Sequence, residues 1–185
     1  MRQRGEQLSA QAIVIMGVSG CGKSTLASLL AQQLACPFLE GDAFHSDANV
    51  AKMRGGEPLT DADRWPWLDM LGGAIAAAVQ AEGVAIAACS ALKHVYRDRL
   101  RAAIGRPTAF VLLETEREEL LRRLNSRPAH YMPGSLLDSQ LAILERPDSS
   151  EQSLTLDSML PPSELARRTL EWLAIGRTTA ERKSA

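Results

Sequence analysis

Short, uninterrupted apolar runs alternate with longer amphipathic stretches along the whole chain. Ala12 to Met16 is a five-residue run rich in β-branched side chains, the pattern of a strand buried on both faces. From Lys23, the apolar residues Leu26, Ala27, Leu29, Leu30 and Leu34 fall on one helical stripe that stops before Cys36-Pro37. Further strands are expected at Pro37 to Glu40, Val84 to Cys89, Thr108 to Leu113 and Ser153 to Leu156. Between them, helices are expected from Thr60 to about Gln80, over Lys93 to Ile104, Glu116 to Leu124 and Ser135 to Leu144. Thr60 and Asp63 have the form of a capping box, and Pro66 unsettles the first turn that follows. A last helix is expected from Pro162 to Ala174, with Gly176 past its end and a frayed polar tail. Strand and helix in alternation predict one α/β domain over residues 1–185, its five-stranded parallel sheet covered on both faces.

Composition narrows the function without naming it. With 45% hydrophobic and 23% charged residues, the 185-residue chain has the make-up of an ordinary globular domain. A net charge of −1 gives no broad attraction to nucleic acid or acidic membranes. Apolar runs of about six residues are far below the roughly 18 that span a bilayer. The polar N-terminus lacks the form of an export signal, and three widely spaced cysteines fit reduced thiols, so a cytoplasmic location is expected. Among 21 basic residues, 17 are arginine and only Lys23, Lys52, Lys93 and Lys183 are lysine. A lysine retained in such a chain marks a place where a compact ammonium is wanted.

Gly17-Val18-Ser19-Gly20-Cys21-Gly22-Lys23-Ser24 fits G-x-x-x-x-G-K-[ST], placed between a strand and a helix as phosphate binding requires. Its backbone N–H groups and the helix N-terminus face an anion, Lys23 reaches phosphate oxygens, and Ser24 ligates Mg²⁺, with Thr25 completing the ATP site. Cys21 serves there as a small side chain. A GTPase would add an Asn-Lys-x-Asp run, and no lysine here follows an asparagine. A motor ATPase would end its third strand in an acid, where this chain has Ala87-Ala88-Cys89-Ser90. Small phosphoryl-transfer kinases fit both features.

Glu40 and Asp42, two apart at the end of the second strand, are expected to aim both carboxylates toward the phosphate loop. One would orient an acceptor hydroxyl and take its proton, while the other fixes the water shell of Mg²⁺. His45 is a weaker candidate for contact with substrate. The polar stretch from Asn49 to Leu68 has the composition of a flap, in which Lys52, Arg54 and Arg64 could meet an anionic acceptor.

These residues resemble the gluconokinase family, small kinases that use ATP to phosphorylate D-gluconate at its 6-hydroxyl. The resemblance rests on Met16 to Ser24, on Leu39-Glu40-Gly41-Asp42 with His45, and on Asn49 to Leu68 with its Gly-Glu-Pro-Leu core. It continues in Cys89 to Arg101, in Arg123-Leu124-Asn125-Ser126-Arg127, and in His130-Tyr131. It implies a three-layer α/β/α P-loop kinase of nucleoside monophosphate kinase type, with a lid at about 127–134 and an acceptor flap at about 43–60. It further implies Asp42 at the acceptor hydroxyl and Glu40 at Mg²⁺ through water, although the family more often has Asp at that position. Arg64, Lys93 and Arg97 would hold the gluconate carboxylate and hydroxyls, the last two sharing one helical face. Arg123 would lie against adenine and Arg127 would swing onto the transferring phosphate, with Arg122 competing for either role. A homodimer is also implied. A shikimate kinase of the same fold is the alternative enzyme, disfavoured because Cys89 to Lys93 stands where such enzymes carry a glycine cluster. A nucleotide-sensing module without turnover would lack the acceptor acids or the lid arginines.

Overall fold

The computed structural model describes residues 10–126 and 134–183. Five strands, β1 Ala12–Met16, β2 Phe38–Glu40, β3 Ala85–Ala88, β4 Thr108–Glu114 and β5 Ser153–Asp157, form one parallel sheet in the order β2-β3-β1-β4-β5. The helices are α1 Lys23–Leu34, α2 Asp47–Arg54, α3 Asp61–Glu82, α4 His94–Ile104, α5 Arg117–Asn125, α6 Gly134–Ile143 and α7 Pro162–Lys183.

The period-2 geometry of β1 divides its apolar run between two cores. Ile13 and Ile15 face one layer with Leu26, Leu30, Val111 and Leu165, whereas Ala12, Val14 and Met16 face the other with Trp67, Leu71, Ile75 and Leu100. Both layers exclude water, which is why the strand reads as unbroken hydrophobic sequence rather than as an alternation. β1 lies between β3 and β4, so the chain order reverses at its carboxyl end and a crevice opens there for ligands.

Local signals placed most elements. The Thr60 hydroxyl accepts from the Asp63 N–H while the Asp63 carboxylate accepts from the Thr60 N–H, so the capping box is present. Pro66 sits inside α3 without interrupting it, since losing one internal hydrogen bond is offset by the buried Trp67, Leu68 and Leu71 beside it. The final helix corrects the expectation of a stop before Gly176, because α7 continues to Lys183. A glycine weakens a helix by about 1 kcal/mol but does not of itself end one.

Candidate active site

The turn from β1 into α1 is built on glycines with positive φ: 134° at Gly17, 85° at Gly20 and 100° at Gly22. Gly22 is the left-handed N-cap of α1, and the first turn of that helix carries no acidic side chain. The uncapped N–H groups and the positive end of the helix dipole are therefore left to an anion. Val18 and Cys21 pack behind the loop at 3% and 1% exposure. Burial pushes the Cys21 thiol up, against the opposing pull of Lys23, so it is a neutral packing group. Lys23 folds back on the loop, its Nζ donating to Val18 O at 3.0 Å.

Two cavities meet at this loop. The smaller, about 50 Å³, is lined by Ser19, Gly20, Gly22, Lys23, Ser24, Thr25 and Asp42. Ser24 and Thr25 are exposed at its floor, where α1 begins. The larger, about 340 Å³, is lined on its polar side by Asp42, His45, Asp61, Arg64, Ser90 and Lys93. Ser19, Lys23 and Asp42 belong to both cavities.

Asp42 owes its place to the way the chain leaves β2. It lies on a 3-10 turn, Gly41–Phe44, rather than on extended backbone. Gly41 presses so closely on β3 that a Cβ there would come within 2.3 Å of Ala88 O. The buried Trp67 indole N–H then fixes the turn by donating to Gly41 O at 2.7 Å. The expected parallel aim of Glu40 and Asp42 is thereby corrected, since the turn begins between them. Glu40 ends β2 and lines neither cavity.

In the larger cavity the polar groups are set against an apolar wall that includes Met53, Leu59, Trp67 and Leu136. His45 stacks on Trp67 with ring centroids 4.1 Å apart. Its buried Nδ1 has no hydrogen-bond partner among the described residues. Burial holds the His45 pKa below 6.5, with Asp42 pulling upward and Arg64 pushing further down, so the ring is neutral at pH 7. Asp61 accepts from Lys93 Nζ at 2.9 Å and from the Tyr96 hydroxyl, and both bonds keep its carboxyl ionised below the ordinary range. Arg64 donates from Nη1 to Leu59 O at 2.9 Å and to the Tyr96 hydroxyl at 3.1 Å. Three cations, Lys23, Arg64 and Lys93, thus face two carboxylates, Asp42 and Asp61, an excess of one positive charge that suits an anionic ligand.

Other expected residues lie elsewhere. Arg97 is fully buried, with Nε and Nη2 on the Glu151 carboxylate at 2.7 and 2.8 Å and Nη1 on Ala91 O, Leu92 O and Glu145 O. It does not line the cavity with Lys93, because Lys93 is the extended N-cap of α4 and the two do not share a helical face. Lys52 lines neither cavity; it is ion-paired with Asp63 at 2.9 Å and so bolts α2 to the start of α3. Arg123 donates to Glu119 at 2.7 Å and to Ser158 Oγ at 3.0 Å, beside the exposed Met159, whereas Arg122 is 71% exposed on Glu119. Arg127 and the rest of the expected lid, up to residue 133, lie outside the described residues. Asp61, Ser90 and Tyr96 lie inside the stretches that carry the family resemblance but had no role assigned from it, and the inner face of α6 was not foreseen.

The donor atoms lining the smaller cavity suit Mg-ATP. Ser24 offers a hydroxyl at the helix start, a hard oxygen ligand of the kind Mg²⁺ takes alongside phosphates and water, and Asp42 lines the same cavity. Among the described residues, no three His, Cys, Asp or Glu side chains cluster as a preformed metal site. No helix among them is long and apolar enough to cross a membrane.

Comparison with known proteins agrees with this geometry. A family model described as an AAA domain matches residues 13–147. A gluconokinase of Gluconobacter oxydans is 49% identical over 144 residues, covering 78% of this chain and 80% of that protein. The thermoresistant gluconokinase of Escherichia coli is 39% identical over 166 residues, covering 89% and 94%. The crystal structure of a gluconokinase from Sinorhizobium meliloti superposes with a TM-score of 0.82 at 40% identity, covering 94% of this chain and 97% of the other. With similarity of 39–49% identity spread over most of its length, the chain belongs to the gluconokinase family.

Proposed function

We propose that the protein transfers the terminal phosphate of ATP to the 6-hydroxyl of D-gluconate, giving ADP and 6-phospho-D-gluconate. The observation that carries this reading is the position of Asp42, one carboxylate lining both the phosphate cavity and the larger, cation-rich cavity. Gluconate occupies the larger cavity, whose 340 Å³ is at the small end of ligand sites and whose charge excess matches one carboxylate. Its carboxylate pairs with Lys93 and Arg64, displacing part of their present bonding to Asp61 and Tyr96. The 6-hydroxyl lies at Asp42, which accepts its proton as the oxygen bonds to phosphorus and the bond from phosphorus to ADP breaks.

Lys23 leaves Val18 O for the phosphate oxygens, where its compact charge stabilises the transferring group. The Ser24 hydroxyl, lining the smaller cavity beside Asp42, would hold Mg²⁺ together with the nucleotide, and the ion would supply charge neutralisation at the phosphates. Arg123, fixed beside Ser158 and Met159, offers its guanidinium face to adenine, and Arg127 reaches the phosphates from a lid. These assignments, a cytoplasmic location and a homodimer, which light scattering would check, belong to the same reading.

The test is a coupled ADP-release assay with Mg-ATP and gluconate, shikimate, other sugar acids or water as acceptor. Turnover dependent on gluconate supports the proposal. ADP release at the same rate with water, or a preference for shikimate, overturns it.

A further inference from the structure

One wall of the larger cavity is α6, whose Leu136, Ser139, Gln140 and Ile143 recur at helical spacing along one face. Leu136 packs with Met53 of α2 and Leu59, so the wall is attached to the flap. Glu145, two residues past the helix, is held by its N–H on Leu92 O at 2.8 Å and by Arg97 on its carbonyl. Between these anchors, Gln140 reaches across the cavity to the phosphate loop, and its Oε1 accepts from the Ser19 N–H at 2.7 Å. The orientation of the carboxamide follows from chemistry, because the backbone partner is a donor. Its Nε2 has no protein acceptor among the described residues. Ser19 lines both cavities, so a terminal phosphate seated in the smaller one would come beside its N–H.

We propose that Gln140 is a positioning residue shared between the two substrates: its carboxamide occupies the Ser19 N–H while the loop is empty, and passes to the acceptor hydroxyls when the terminal phosphate of ATP takes that N–H. This rests on the phosphotransfer reading above. A phosphate oxygen accepts a charge-assisted hydrogen bond about twice as strong as that to a neutral carboxamide, so the nucleotide wins the exchange. The displaced side chain remains against the larger cavity with an oxygen and an N–H₂ group to offer a polyol. A carboxamide does not titrate, so it contributes placement and no proton transfer.

The proposal gives effects of opposite sign on the two substrates. Gln140→Met keeps the length of the side chain and removes the competitor for Ser19. It should bind a non-hydrolysable ATP analogue about fivefold tighter, the worth of one neutral hydrogen bond, with ADP binding unchanged. The same variant should raise the KM for gluconate about tenfold, with kcat within a few-fold of wild type. Gln140→Glu still accepts from Ser19 but sets a negative charge against the terminal phosphate, so it should weaken the analogue. Calorimetric titration measures the nucleotide arms without any acceptor, so they test Gln140 whichever sugar acid is used, while wild-type turnover tests the acceptor reading. A variant that weakens both substrates, as general damage would, overturns the proposal, as does Gln140→Met binding the analogue no tighter or leaving the gluconate KM unchanged. If Gln140→Met does not fold, Gln140→Asn, too short to span the gap, carries the same expectations.

Discussion

Replacing Arg97 by Met removes one guanidinium from a site with no water to replace it. The side chain is 1% exposed, as is that of its partner Glu151. Burial pushes the Glu151 carboxyl up, yet the bonds and charges of Arg97 and Arg101 hold it below the ordinary range, so it is ionised. In the variant, Arg101 still pairs with Glu151, and Leu92 O keeps the Glu145 N–H. Ala91 O and Glu145 O lose the guanidinium that now satisfies them. Breaking a buried pair from one side costs about 3–5 kcal/mol, and an orphaned buried acceptor about 1–3 kcal/mol. With Arg101 remaining, a loss of about 4 kcal/mol is expected. At a urea dependence of roughly 2 kcal/mol per M, the unfolding midpoint followed by circular dichroism should fall by about 2 M. Arg97→Met with Glu151→Met should recover part of that loss, since both buried charges leave together. A single variant within about 1 kcal/mol of wild type that raises the gluconate KM instead would refute this reasoning and return Arg97 to the substrate.

Three further outcomes follow from the site. Because burial lowers the His45 pKa, the unfolded chain binds the extra proton first, so the stability it contributes is complete above pH 6.5 and declines as the pH falls from 6.5 toward the folded value. Urea titrations from pH 7.5 to 5.5 should show that decline in wild type and a shallower one in His45→Gln; parallel curves would remove His45 as the cause. Gly41→Ala, with its Cβ forced onto Ala88 O, should cost about 1–3 kcal/mol in thermal unfolding and lower kcat through displacement of Asp42; wild-type values in both would contradict the turn's role. Chelation of Mg²⁺ should abolish turnover while leaving the far-UV spectrum unchanged, and added Mg²⁺ should restore it; full activity in chelator would remove the ion from the account.

How much of this was legible depended on whether the signal was local. The run from Ala12 to Met16, the phosphate loop and the Thr60–Asp63 box each declare themselves within eight residues, because backbone geometry and hydrogen bonding there are settled by near neighbours. Arg97 was misread because spacing reports which residues share a face only once both are in the helix. Its partner Glu151 is 54 positions away, which no periodicity encodes. Lys52 followed the same course, a cation whose carboxylate partner lies 11 residues on. The scarcity of lysine did mark Lys23 and Lys93, both of which line the larger cavity, but at Lys52 the ammonium serves the fold. Gln140 left no trace in the sequence, and Asp61 lay in the flap without an assigned role, because glutamine and aspartate at such positions are ordinary solvent-facing choices. Only the folding of α6 and α3 around one cavity gives them a role.

The central claim is that Asp42, standing between two cavities, accepts the proton of the acceptor hydroxyl during transfer. Asp42→Asn keeps the shape of the side chain and removes its basicity. Measured with saturating Mg-ATP and gluconate, kcat should fall about 10²- to 10⁴-fold, with the affinity for the ATP analogue within a few-fold of wild type. A kcat within a few-fold of wild type at unchanged nucleotide affinity would contradict the account and place the acceptor chemistry on another residue.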